Sequence, residues 1–355
     1  DHVNPEAPWP HLAQLARDTG SAGKFLDQRL TIYPRYLIAA EIWLSSKVRP
    51  AALKQSDAEG YAKRDDWVAG LSEHAPSSES PNRSAEASPE IAKIIARCLN
   101  KSLITESEIA SLLRSRGDDY DAVIAAADTL RHAVCGNTVS FVVNRNINYT
   151  NVCYFKCQFC AFSKGSASEN LRGKPYDISA EEISRRCVEA WARGATEVCM
   201  QGGIHPSYTG QTYLDIITTV KQATPHMHIH AFSPLEVWQG AETLEISLTE
   251  FLTRLKSAGL DTLPGTAAEI LHDDVRAQLC PDKLNSAQWL EVMERAHSVG
   301  FKTTATMMFG HIERPEHCAR HLYAIAELQR KTGGFTEFVP LPFVAHEAPM
   351  YKKGN

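Results

Sequence analysis

The sequence predicts an α/β protein: a parallel (β/α) barrel of the TIM type, cut short at its C-terminal end and preceded by a short helical segment. Three observations carry this. From residue 138 onward, apolar strand-like runs alternate with helix-length segments through six units, which argues a parallel sheet and, at that number, a barrel. Each chemistry-bearing motif falls just after a predicted strand, where barrels of this kind keep their chemistry. At 355 residues with 43% hydrophobic and 22% charged content, the chain is long enough for a large domain plus an appendage, and wholesale disorder is excluded.

Residues 1–75 mix short helical patterns with Pro and Trp, and Leu30–Tyr36 reads as an extended piece around Pro34. No strand–helix alternation continues from it. Residues 76–89 are rich in Ser, Pro, Glu, Ala and Asn with no apolar period, which is linker composition. Residues 90–137 read as a helical lead-in. Ile91, Ile94, Ile95 and Cys98 repeat at helical spacing, Thr105-Glu106-Ser107-Glu108 is a capping box, and Gly136-Asn137 ends the third helix.

The barrel is expected over 138–355. Val139–Val143 is a continuous apolar run, as for a strand buried on both faces. Further strands are expected at Glu197–Gly203, His226–Phe232, Gly259–Gly265, Lys302–Phe309 and Phe335–Val344.

The charge balance of 37 basic against 42 acidic residues, net −5, gives no electrostatic case for nucleic acid or a membrane surface. No apolar run is long enough to span a bilayer. Nine cysteines, an odd number, fit neither a secreted scaffold nor a disulfide set. With no secretory signal readable at the start, an intracellular, reducing compartment is expected.

The strongest motif is Cys153-Tyr154-Phe155-Lys156-Cys157-Gln158-Phe159-Cys160, a CxxxCxxC loop after the first strand. Three thiolates on one tight loop are soft ligands in the right number for three irons of a 4Fe–4S cluster, leaving one iron open. A structural zinc site wants four ligands, usually with a second CxxC pair, and none is present. The remaining six cysteines are singletons that read as small core residues. Gly202-Gly203 follows the second strand and lets a backbone approach a ligand closely. His226, His228 and His230 share one face of the third strand by alternation, as a polar barrel interior would require.

The cysteine spacing, in this place, resembles the signature of the radical S-adenosylmethionine (SAM) enzymes. That resemblance implies a 4Fe–4S cluster held by Cys153, Cys157 and Cys160, whose open iron binds SAM and cleaves it to a 5′-deoxyadenosyl radical. It also implies that Phe159 packs beside the adenine, that Gly202 and Gly203 meet the SAM amino group, and that Ser233 and Glu236 face its ribose. Asn144–Cys153, Gln201–Pro206, His230–Pro234, Leu263–Leu271, Leu279–Leu284 and Met308–Glu313 are similar to the FO synthase family and its futalosine-pathway relatives, most of all to the tyrosine-using CofH-type half. Asp27–Pro34 resembles the tail of the CofG-type half that precedes it in the fused enzyme.

These resemblances imply deazaflavin biosynthesis, in which the 4-hydroxybenzyl group of L-tyrosine is coupled to 5-amino-6-(D-ribitylamino)uracil. An electron donor and a CofG-like domain in the same full-length chain are implied partners. Asn144, Arg145, Asn148, His205, His230, Thr306 and His311 are candidates for holding the substrates, each also readable as an ordinary hydrogen-bonded interior group. The competing readings are a futalosine-pathway menaquinone enzyme and, from another class, a non-catalytic iron–sulfur or zinc protein.

Overall fold

A computed structural model describes residues 12–24, 26, 29–56, 60–62, 86–162, 175–344 and 348–352. Most of the expected linker, residues 63–75 of the expected tail, and Asp27 and Gln28 lie outside the described residues. The chain divides into two compact units, one of residues 1–104 and 110–137, the other of 105–109 and 138–353.

The first unit holds the short helices α1 (Leu12–Ser21), α2 (Pro34–Ile38), α3 (Ala40–Trp43) and α4 (Arg49–Lys54), then α5 (Pro89–Leu99) and α7 (Asp118–Cys135), with α6 (Glu106–Leu113) crossing the division. The capping box forms as its residue types require: the Thr105 amide donates to Glu108 Oε2 at 2.7 Å, and the Glu108 amide to Thr105 Oγ1 at 3.3 Å.

The second unit is a parallel (β/α) half-barrel. Its strands are β1 (Asn144–Asn148), β2 (Glu197–Gln201), β3 (His228–Ala231), β4 (Thr262–Leu263), β5 (Lys302–Phe309) and β6 (Phe335–Pro342), in the order β1-β2-β3-β4-β5-β6. Between them run α8 (Ala180–Ala192), α9 (Gly210–Ala223), α10 (Pro234–Thr243), α11 (Leu248–Ala258), α12 (Asp273–Leu279), α13 (Ser286–Val299) and α14 (Pro315–Thr332), with α15 (Pro349–Lys352) following β6. Alternation sorts each strand into two faces. Ile147, Val198, Met200, Ile229 and Ala231 are fully buried against the helices, in a core with Ile183, Tyr213, Ile217 and Phe251. The intervening Cys199, Gln201, His228 and His230 are only half-buried and line the inner face.

Two strand expectations are corrected. Val139–Val143 is not a strand: Val139 and Phe141 are 91% and 85% exposed, and the sheet begins with the polar Asn144–Asn148. The chain joins the sheet only where the Thr196 amide donates to Val143 O at 2.9 Å. A strand apolar on one face only carries no continuous apolar run, and β1 buries Ile147 outward and sends its asparagines inward. His226 precedes β3 and sits exposed in a turn, so two histidines, not three, share the inner face of that strand.

Candidate active site

Three loops meet at the C-terminal ends of β1, β2 and β4. The cysteine loop after β1 is pinned through its own backbone. The Tyr154 amide donates to Ile204 O at 3.2 Å, the Gln158 amide to Leu279 O at 2.8 Å, and the Met350 amide to Gln158 O at 2.8 Å. Cys153, Cys157 and Cys160 lie in one apolar cluster with Phe155, Phe159, Ile204 and Leu279. Burial pushes the Cys157 thiol up to about 12 and raises Cys153, and the proximity of Cys160 raises both further. Lys283 works the other way on both thiols, and the backbone N–H groups of Ile204 and Phe155 do so on Cys153. Among the described residues no group of three or more His, Cys, Asp or Glu side chains is arranged to hold a metal ion. The donor set nonetheless suits an iron–sulfur cluster: soft thiols on one short loop, with amide N–H groups and a buried cation that favour their anionic form.

The glycine turn after β2 is shaped by its neighbours. A Cβ on Gly203 would collide with Val152 O and come within 2.9 Å of Cys153 Cβ, and one on Gly202 would strike the Tyr149 ring. The Gly203 amide donates to Thr150 O at 2.9 Å. Glycine is therefore required here by the close approach of the cysteine loop itself.

Glu236 ties this turn to β3. It is 1% exposed. Its Oε1 accepts from the Tyr149 hydroxyl and from the Gly202 amide at 3.1 Å, and its Oε2 accepts from the Ser233 amide and hydroxyl, both at 2.6 Å. Burial raises its pKa, and these four donors oppose that. Ser233 is the N-cap and Glu236 the N3 residue of a capping box opening α10, so the side-chain polar atoms of both are spent on protein. Phe232, just before, is fully buried at φ +44, a strained conformation for a residue with a Cβ.

Comparisons with known proteins give the family and the fold. A family model described as "Radical SAM superfamily" matches residues 147–323. A Methanothermobacter thermautotrophicus protein named 5-amino-6-(D-ribitylamino)uracil–L-tyrosine 4-hydroxyphenyl transferase is 45% identical over 262 residues, covering 74% of this chain and 70% of its own length. The chain belongs to the radical SAM superfamily, within the FO synthase family. FO synthases of Streptomyces coelicolor and Mycobacterium leprae are 40% and 39% identical across the whole chain, which covers 45% and 46% of their lengths. The chain thus spans about half the length of these curated relatives. Two solved structures share the fold: HydG, a maturase of the [FeFe]-hydrogenase (TM-score 0.56, 18% identical, 74% of this chain and 56% of that one), and methylornithine synthase PylB (0.55, 16%, 73% and 70%). Membership of the radical SAM superfamily implies a 4Fe–4S cluster and the use of SAM.

Against that expectation the candidate substrate residues divide. Asn144 stands on the inner face with its Nδ2 3.3 Å from Glu197 Oε1, and Asn148 pairs in register with Gln201. His230 is also inward, its Nδ1 2.7 Å from Thr262 Oγ1, and burial lowers its pKa to about 4, so it is neutral near pH 7. Arg145 points outward, to Glu189 of α8 at 2.8 Å and Arg186 O at 3.1 Å. Thr306 donates to Gly265 O at 2.6 Å. His311 is wholly buried, with Nδ1 2.9 Å from Glu313 and Nε2 3.0 Å from Met308 O. His205 sits on the loop after β2, where its Nδ1 accepts from the Ser207 amide at 3.2 Å.

Sequence reasoning missed a group around the loop after β4. Ala267 and Glu269 adopt φ +64 and +46. Arg276 donates to the carbonyls of Ala267, at 3.2 Å, and Ala268. Glu269 accepts from Lys283 at 2.9 Å. No spacing rule signals this group, because its members come from a loop, a helix and a second loop. Among the described residues, no helix is long and apolar enough to cross a membrane.

Proposed function

We propose that this chain couples the 4-hydroxybenzyl group of L-tyrosine to C5 of 5-amino-6-(D-ribitylamino)uracil, as the tyrosine-using part of an FO synthase. The observation that carries the reading is a three-thiol loop following β1, in a chain 45% identical over 262 residues to a named tyrosine 4-hydroxyphenyl transferase. Cys153, Cys157 and Cys160 would hold three irons of the cluster. When bound, cluster and SAM together supply a 5′-deoxyadenosyl radical on reduction.

The rest of the work falls to the chain itself. Gly202 and Gly203 keep their turn free of side chains, so backbone groups are left to face the SAM amino group, and Glu236 fixes that turn from beneath. Phe159 offers a flat apolar wall beside the cysteines for the adenine. Ser233 stands at the mouth of β3, where it would contribute to the ribose wall only by giving up a bond to Glu236. On the inner face, Asn144, Asn148 and neutral His230 offer donors and acceptors without net charge, which suits a uracil and its polyol chain. His205 is the candidate nearest the glycine turn for the amino-acid carboxylate. Arg145, Thr306 and His311 act one layer back, through α8, the β4 loop and the β5 loop respectively. An electron donor, a CofG-like domain in the full-length chain and a reducing compartment belong to the same proposal.

The test is anaerobic turnover by the full-length protein with dithionite, SAM, tyrosine and the ribitylaminouracil, followed by mass spectrometry. A coupled product carrying the tyrosine ring is expected. Turnover of an enolpyruvyl-type futalosine precursor in place of these substrates would sink the reading.

A further inference from the structure

We propose that Lys283 is a positioning residue for the iron–sulfur centre: its ammonium, clamped by Glu269 against the cysteine loop, makes the cluster easier to reduce. The inference rests on the reading that Cys153, Cys157 and Cys160 hold a 4Fe–4S cluster.

The geometry is specific. Lys283 and Glu269 keep only 12% and 11% of their side chains exposed, with Nζ 2.9 Å from Oε1. The same Nζ stands 5.1 Å from the centroid of the Phe159 ring, the residue between Gln158 and Cys160. The cysteine loop cannot drift from this cation, because the Gln158 amide is bonded to Leu279 O, and the turn Cys280–Lys283 is closed by the Lys283 amide donating to Cys280 O at 3.1 Å. Glu269 is held in turn. Its backbone lies at φ +46, and its carbonyl accepts from the Met308 amide at 2.9 Å. That conformation is strained for a residue with a Cβ, and strain of this kind persists where its surroundings impose it.

A buried ion pair is a poor device for stability, since removing both charges from water offsets their attraction. Its placement beside the thiols points to electrostatics. Burial works against the charge of Lys283, and the Glu269 carboxylate 2.9 Å away opposes that. Reduction adds one negative charge to a cluster already held by anionic ligands, and a fixed cation in a poorly solvated site favours the reduced form.

The experiment is an anaerobic redox titration of the reconstituted, SAM-free protein followed by electron paramagnetic resonance, with iron content measured on each sample. Lys283→Met should lower the equilibrium constant for one-electron reduction about tenfold, a shift of about 59 mV to more negative potential. Lys283→Arg should stay close to wild type. Glu269→Gln, which removes the neighbouring negative charge and leaves the cation, should shift the potential the opposite way. A residue that merely props the loop would not produce shifts of opposite sign. A wild-type potential in fully loaded Lys283→Met, or shifts of the same sign in both variants, overturns the proposal. If Lys283→Met fails to load iron, Glu269→Gln decides alone: an unchanged or lower potential overturns it. A wild-type protein that takes up only zinc removes the underlying cluster reading instead, so the two failures are distinguishable.

Discussion

Cys157 is the most deeply buried of the three loop thiols, and its environment sets what replacing it does. Burial pushes its pKa up to about 12, with the Lys283 charge opposing. A thiol that so resists ionisation becomes a thiolate only with a cationic partner such as iron. Cys157→Ala deletes that donor. Cys280, although close enough to act on Cys157 electrostatically, follows α12 on a separate loop and belongs to the Lys283 turn. The expected outcome is total loss of 5′-deoxyadenosine formation by liquid chromatography under reducing conditions, with iron content well below wild type. Full cleavage activity in this variant would mean that the ligand assignment is wrong. That the three cysteines share one loop was legible in the sequence because their spacing is a local property. Glu236 was read in the sequence as a ribose contact at the mouth of β3. That it spends its oxygens on Tyr149, Gly202 and Ser233 needed the fold, since Tyr149 and Glu236 stand 87 residues apart.

Strands and helices were read well where their periodicity was undiluted. The expectation for β5 coincides with the observed Lys302–Phe309, because alternating Thr and apolar residues are flanked by helices with clear stripes. β1 was displaced by five residues, since a continuous apolar run outweighed a polar strand whose only fully buried side chain is Ile147. Helix α14 carries a signal that periodicity could not convey: His321, completely buried, accepts from the Leu271 amide at 3.0 Å. Burial first, and the Arg276 charge second, lower its pKa from 6.5 to about 3. Between those values the unfolded chain binds a proton that the folded one refuses, so the contribution is present above pH 6.5 and is lost as pH falls toward 3. At about 1.4 kcal/mol per pH unit, the loss amounts to a few kcal/mol. His230 and His297, lowered to about 4 mainly by burial, lose their contributions as pH falls from 6.5 toward 4. Urea denaturation at pH 7.5 and pH 5 should therefore show a lower midpoint at pH 5. His321→Phe should be less stable by about 1–3 kcal/mol at pH 7.5, from the orphaned Leu271 amide, but with a flatter pH dependence. An unchanged slope in that variant would remove His321 from the account.

The nine cysteines of the chain, none in a disulfide, allow a stoichiometric argument about the molecule as a unit. Six of them lie outside the loop in sequence. Cys187 packs in the main barrel core, Cys199 lies on the inner face of β2, Cys280 and Cys318 are buried around α12 and α14, and Cys98 and Cys135 belong to the first unit. No second set of spaced thiols exists to hold another cluster or a structural zinc. Anaerobic reconstitution with iron and sulfide should therefore stop at about four irons per chain, the content of one 4Fe–4S cluster, with a broad visible absorbance. A value near eight would mean that scattered thiols are recruited, and the single-loop reading would fail. Stoichiometric zinc with no iron would fail it differently, by showing that the loop prefers a redox-inert ion. The count also bears on the proposed reading of the barrel, in which one cluster at one mouth adjoins the inner face that carries Asn148, Gln201 and His230. Iron analysis and the turnover assay on the same preparation must then scale together, with coupled product vanishing as the fourfold iron content is titrated away by chelation.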